Sequence, residues 1–207
     1  MAQQLIKVPP TKNTLLKLKK QVKFLEEGHD LLERKRELLT RLVYERIGEY
    51  RRLRQEAEAG VAEAYRCLSI THLRMGSRGI NQAALGSELA LRVDILPRRS
   101  LGVEYPGVSA ERLPLKPVGL LGTDASFDNT RTNLADLAVT LARLGEVEIA
   151  LHRLMEEQRK AQKRVNALKY NIIPRYQATV HHIRAALEED ERNTLFQIKV
   201  LRAQQTD

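Results

Sequence analysis

Residues 10–39 read PTKNTLLKLKKQVKFLEEGHDLLERKRELL, and this stretch decides the fold. It reads as the start of one very long helix, with the rest of the chain as that helix's continuation, turn and return. Thr11 or Asn13 can supply an N-cap oxygen for the orphan amides of the first turn. An apolar seam follows through Leu18, Val22, Leu25, Leu32, Leu39, Val43, Ile47, Tyr50, Ala57, Val61, Ala64 and Leu68, with steps of three, four or seven. A heptad-like seam sustained this long predicts a coiled coil rather than a globular amphipathic helix. The consecutive four-residue steps from Leu39 to Ile47 predict a local relaxation of the left-handed supercoil. His29, Arg36 and Arg54 are gaps in the seam, and polar residues there cost stability but fix register.

Composition supports long helices. Of 207 residues only 4% are aromatic, there is no Trp, and 29% are charged. Compact cores draw heavily on aromatic area, whereas Leu, Ala, Glu, Lys and Arg at heptad spacing mark extended helices. The net charge of +9 favours acidic partners, and a solvated helix face is the plainer reading of the same excess. Its distribution is uneven: Lys7, Lys12, Lys17, Lys19, Lys20 and Lys23 all precede the first acid, Glu26. The expectation is a basic tip.

Residues 76–127 form a connector. Seven glycines from Gly76 to Gly122 and four prolines (Pro97, Pro106, Pro114, Pro117) exclude a long helix there. Leu89–Leu96 and Leu101–Tyr105 read as strands flanking Pro97-Arg-Arg-Ser100, which predicts a small hairpin. An isolated hairpin is marginal in water, so it is expected to lean on the helices or on a partner. The return helix has a seam through Leu134, Leu137, Leu141, Leu144, Leu151, Met155, Val165, Leu168, Ile172, Tyr176, Thr179, Ile183 and Ala186, with Glu148, Gln158 and Gln162 as polar interruptions. Pro174 inside it predicts a bend near Tyr170. The expected fold is therefore dominated by α-helix: a long antiparallel two-helix coiled coil with a Gly/Pro-rich connector carrying a small β-hairpin. The expected domain layout is a single elongated domain over 1–207, with the first helix over 14–75, the connector over 76–127 and the second helix over 128–201.

No catalytic constellation emerges. Gly119-Leu-Leu-Gly-Thr123 lacks the phosphate-reaching lysine of a P-loop. His181 and His182 are adjacent on a helix and point about 100° apart, so they cannot share a metal face. The lone Cys67 excludes an internal disulfide and reads as a small buried filler in a reducing compartment. The first residues lack the apolar core of a signal peptide, and no run is long and apolar enough to span a membrane. The expectation is a non-catalytic protein without metal or cofactor.

Three segments then resemble a known family, the D subunit of the A/V-type rotary ATPases. They are the N-terminal stretch (Pro10, Thr11, Lys12, Leu15, Leu16, Leu18, Lys19, Gly28, Asp30 to Leu32, Lys35 and Arg36), the Leu101-Gly-Val-Glu-Tyr-Pro106 hairpin segment, and the run Arg164-Val-Asn-Ala-Leu168 with Asn171-Ile-Ile-Pro174. Gly119–Thr123 is similar to the family's turn into its last helix. The resemblance implies a central-stalk rotor shaft. It would couple ATP hydrolysis or synthesis in the hexamer of catalytic A and B subunits to proton or sodium transport by rotation. The further implied partners are the F subunit of the stalk and the funnel-shaped adaptor that seats the shaft on the membrane ring. The implied location is peripheral, on the cytoplasmic side of the membrane. Within that reading, Lys12, Lys17, Lys19, Lys20 and Lys23 are the candidate hexamer-contacting tip, and Leu101, Gly102, Val103 and Tyr105 the candidate stalk-partner contacts. The rival readings are a basic coiled-coil scaffold for nucleic acid or an anionic surface, and a homodimeric adaptor. The charge forms no continuous stripe with interleaved stacking aromatics, which disfavours nucleic acid.

Overall fold

The computed structural model describes residues 5–119 and 122–204. Helix α1 spans Lys12–Leu85, strands β1 and β2 span Leu91–Ser100 and Val103–Arg112, and α2 spans Ala125–Ala167. A π-helical turn at Leu168–Ile172 then leads into α3, Ile173–Gln204. The fold is dominated by α-helix with one two-stranded antiparallel sheet. Leu120 and Leu121, inside the glycine-rich turn noted above, lie outside the described residues.

The chain divides into two compact units, Met1–Leu38 with Gln158–Asp207, and Leu39–Glu157. In the first, α1 runs antiparallel to α3. Lys12 Nζ lies 2.7 Å from Glu191 Oε1, and Gln177 Nε2 donates to Glu26 Oε1 at 2.9 Å. From the first pair to the second, α1 advances fourteen residues and α3 retreats fourteen, two heptads on each side. Leu18, Ala161, Val165, Thr179 and Ile183 are buried between the helices. The N-cap of α1 is Thr11, whose Oγ1 accepts from the Thr14 amide at 3.1 Å. Ahead of it the Ile6 amide donates to Thr179 Oγ1 at 3.1 Å, tying the segment to α3, and the Thr11 amide donates back to the Pro9 carbonyl at 3.0 Å, turning the chain at Pro10 into the helix.

The polar gaps of the two seams meet in this unit. Arg36 Nη1 donates to Gln162 Oε1 at 3.0 Å and Arg36 Nη2 lies 3.5 Å from Glu33, while Gln162 passes a hydrogen bond on to Asn166 at 2.8 Å. Each interruption is thus the other's partner. The predicted distortion near Tyr170 is the π turn. The Ile173 amide reaches back to the Leu168 carbonyl, and the next residue is Pro174, which has no N–H to give and would crowd the carbonyl of Tyr170 in a regular helix.

In the second unit Leu39, Leu53, Ala57 and Ala64 of α1 are buried, as are Phe127, Ala135, Val147, Ala150, Leu151 and Leu154 of α2. Leu53 takes the place next to the expected gap at Arg54, because the three-four alternation restarts at Tyr50. Leu134 and Leu141, expected in the seam, are exposed, and Ala135 is buried instead. Small residues let the helices approach: a Cβ on Gly60 would sit 3.2 Å from Leu137 Cδ1, whereas Gly28 and Gly48 face open space. The fully buried Thr71 hydroxyl lies 2.9 Å from the Ser126 carbonyl, 2.8 Å from Thr130 Oγ1 and 3.0 Å from its own helix at Cys67.

Helix α1 runs on to Leu85, ten residues past the expected end. Only Gly76 leaves the helical region, at φ 71° and ψ 167°, a conformation open to glycine, so the break is a kink rather than a stop. The hairpin turn also moves. Pro97-Arg-Arg-Ser100 belongs to β1, and the turn is Leu101-Gly102, with φ of 49° and 79°. Two positive φ values in a two-residue loop fit the right-handed twist of the flanking strands. The hairpin is pinned along α2 by Arg112 of β2 to Asp136 (2.8 Å), by Arg98 of β1, whose side chain crosses Gly107 of β2, to Glu146 (3.6 Å), and by Arg153 of α2 to the Glu104 carbonyl of β2 (2.6 Å). Eight strand residues cover about 27 Å and seventeen helical residues about 25 Å, so β2 and α2 run side by side in opposite directions.

Candidate partner-binding surfaces

All five lysines of the expected basic tip are exposed on the first turns of α1. Lys12 is held by Glu191, whose hydrogen bond first and charge second keep the ammonium above its ordinary pKa; Lys12 in turn keeps the Glu191 carboxyl below its own. Lys23 is 3.9 Å from Glu27. Lys19 borders a groove of about 520 Å³ lined by Val22, Val180, His181, Arg184 and Ala185. Lys12, Lys19 and Lys23, seven and four residues apart, share one face of the helix, and Lys17 and Lys20, three apart, lie on another, so the set occupies two faces rather than converging on one point.

The hairpin residues divide. Leu101 and Gly102 form the exposed turn, whereas Val103 and Tyr105 are 7% and 8% exposed and face the helices. The Arg46 guanidinium of α1 sits 5.9 Å from the Tyr105 ring centroid. Val103 and Tyr105 therefore orient the hairpin. The sequence reading missed the opposite face of the same ladder, where Val93, Ile95 and Pro97 lie across from Ala110, Val108 and Pro106. Alternation along Arg92–Pro97 was the available signal, obscured because Pro97 reads as a turn residue.

Among the described residues there is no group of three His, Cys, Asp or Glu side chains that could hold a metal ion, and no helix is long and apolar enough to cross a membrane. His29 fills its seam gap with Nδ1 3.3 Å from Asp30 and Nε2 3.8 Å from Glu33. Cys67 is half-buried rather than enclosed, and its sulfur accepts from Asn133 Nδ2 at 3.0 Å.

A family model described as the D subunit of ATP synthase matches residues 14–203. The chain is 32% identical to the A-type ATP synthase D subunit of Pyrococcus furiosus over 97% of this chain and 95% of that one. It is 34% identical to the V-type ATP synthase D subunit of Thermotoga neapolitana, over 94% and 97%. With the A-type ATP synthase D subunit of Methanosarcina mazei it shares 31% identity over the full length of both. These matches cover both units, the hairpin included, and the chain belongs to the D-subunit family of the A/V-type ATP synthases.

Proposed function

We propose that this chain is the central-stalk rotor shaft of an A/V-type ATP synthase, a non-catalytic subunit that transmits torque between the catalytic A and B subunits and the ion-translocating membrane ring. The observation that carries the reading is the two-heptad match between Lys12–Glu191 and Glu26–Gln177. An antiparallel pair with fixed register resists twisting of one helix past the other. The exposed lysines of its terminal turns, Lys12, Lys17, Lys19, Lys20 and Lys23, contact the hexamer. Screened surface charges there attract without locking, since each such contact is worth at most about 1 kcal/mol. The F subunit and the funnel-shaped adaptor engage the hairpin end, with Leu101 and Gly102 at the contact and Val103 and Tyr105 holding the hairpin in place. The location is peripheral, on the cytoplasmic side of the membrane, and the transported ion is a proton or sodium.

Native mass spectrometry of the intact complex tests this. One copy of the chain per hexamer, together with the named stalk partners, is expected. Two copies would favour a homodimeric adaptor. Recovery on DNA with a steep salt dependence, without ATPase subunits, would favour the nucleic-acid scaffold.

A further inference from the structure

The hairpin presents a surface whose two edges and two faces are unequal. The two-residue turn makes Ser100 opposite Val103 the first hydrogen-bonded pair. Alternation then makes Arg99 with Glu104, Pro97 with Pro106, Ile95 with Val108, and Val93 with Ala110 the non-hydrogen-bonded pairs, whose amides and carbonyls point out of the ladder. The Glu104 carbonyl obeys this, since it points to Arg153 on α2. Both prolines thus sit where an outward N–H would be, and neither edge offers a continuous row of donors. The edge of β2 already lies against α2. On β1, the free edge, Pro97 removes the central donor.

The face formed by those same pairs is apolar and open. Ile95 is 65% and Val93 41% exposed, although every other residue of this face except the terminal Arg99, Glu104 and Arg112 is also apolar. Beside it runs a groove of about 320 Å³, walled by Ile95, Pro97, Pro106, Tyr105 and Ile149 and bordered by Glu104 and Arg153. Arg153 gives one donor to the Glu104 carbonyl, and Glu104's carboxylate lies 3.5 Å from Arg99.

We infer that this face, not the strand edge, is where the hairpin docks a partner, and that the occupant is a helix of another ATPase subunit carrying a row of apolar side chains and one carboxylate that meets Arg153. The inference rests on the stalk-partner reading above and specifies its mode. A helix satisfies its own backbone and asks only for an apolar groove, which this surface supplies; an added strand needs the donors that Pro97 lacks. Glu104, the acid of the lining, is paired with Arg99 at 3.5 Å, so the Arg153 guanidinium carries the groove's net charge and selects an acid.

Three variants test it in the assembled ATPase isolated from the organism that makes the chain, with wild type purified in parallel. Ile95→Asp places a charge in the groove and should reduce recovery of the chain with the complex by about tenfold, as expected for a central interface residue. Arg153→Gln removes the charge while leaving a polar side chain, and should reduce recovery less and flatten its salt dependence. Pro97→Thr restores the edge donor and should assemble as wild type. Unchanged helicity by circular dichroism identifies folded variants, and a photo-reactive benzoylphenylalanine at position 95 should cross-link to a helical segment of a different subunit. Normal assembly of Ile95→Asp, tighter assembly of Pro97→Thr, or a cross-link to a second copy of this chain would each overturn the inference. Wild-type chain recovered at one copy per complex in the same preparation leaves the shaft reading standing whichever way the variants behave; its absence there would sink both.

Discussion

Thr71 is a polar side chain in the fully buried position of an apolar seam, and its hydroxyl ties α1 to the first turn of α2 through Ser126 and Thr130. Thr71→Val keeps the shape and removes the hydroxyl that joins the two helices, while the Thr130 hydroxyl keeps its bond to the Ser126 carbonyl at 2.9 Å, so chemical denaturation should show a loss of about 0.5–1.5 kcal/mol. Nearby, Arg74 Nη1 holds Asp124 Oδ2 at 3.0 Å at the start of α2. The Arg74 hydrogen bond first, then that of Ser126, keep the Asp124 carboxyl below its ordinary pKa. A depressed carboxylate stabilises the fold above its unfolded pKa of about 3.9, and the contribution disappears as pH falls through the lower folded value. The difference in melting temperature between wild type and Arg74→Gln should therefore be largest near neutral pH and close below about pH 4. Little of this was legible beforehand. Thr71 has no apolar signature, and Leu53 was passed over because Arg54 held the counted position. Leu18, Leu39, Ala57 and Ala64, where the heptad count was uninterrupted, are all buried as their spacing requires.

Arg36 and Gln162 were each visible in the sequence as defects in a seam, but their pairing depends on the register between α1 and α2, which no single seam contains. Their hydrogen bond explains why two unfavourable positions coexist. Polar contacts of this kind cost stability and select one alignment over its neighbours. Replacing both by leucine should raise the melting temperature while loosening register. The readout is a zero-length carbodiimide cross-link between Lys12 and Glu191, whose side chains meet at 2.7 Å; it should form within one chain in the parent and spread to neighbouring carboxylates in the double variant. A single sharp cross-link in that variant would deny Arg36 and Gln162 a register role. Pro174 was readable as a local defect because its chemistry forbids a regular turn, and the π turn is how the backbone absorbs it. The hairpin's existence was readable and its turn was not. Prolines usually punctuate strands, and only the outward placement of Pro97 and Pro106, a product of pairing, lets both stay inside the ladder.

Under the shaft reading proposed above, the relevant property of the chain's charge is diffuseness. Lys17, Lys19, Lys20 and Lys23 are exposed on more than one face of α1, so they cannot all dock into one pocket. Any single change to glutamine should alter ATP-driven turnover only slightly, because each screened charge contributes up to about 1 kcal/mol. All four together should weaken assembly or torque, more so at low salt than at moderate salt. One single change that stops rotation in an intact complex would mean a specific docking contact instead. The family could be read from the N-terminal stretch and the Arg164–Pro174 run because those segments carry residue-specific patterns beyond a coiled-coil repeat.

Rotation itself can be observed. With Cys67 replaced by serine and a cysteine introduced at the exposed Ser109 of β2, a gold bead can be attached to the chain while the A/B hexamer is fixed to a surface. On addition of ATP the bead should turn continuously in one direction, and stop when ATP is removed. A bead that stays still while the same immobilised complexes hydrolyse ATP would contradict the assignment of this chain as the rotor shaft.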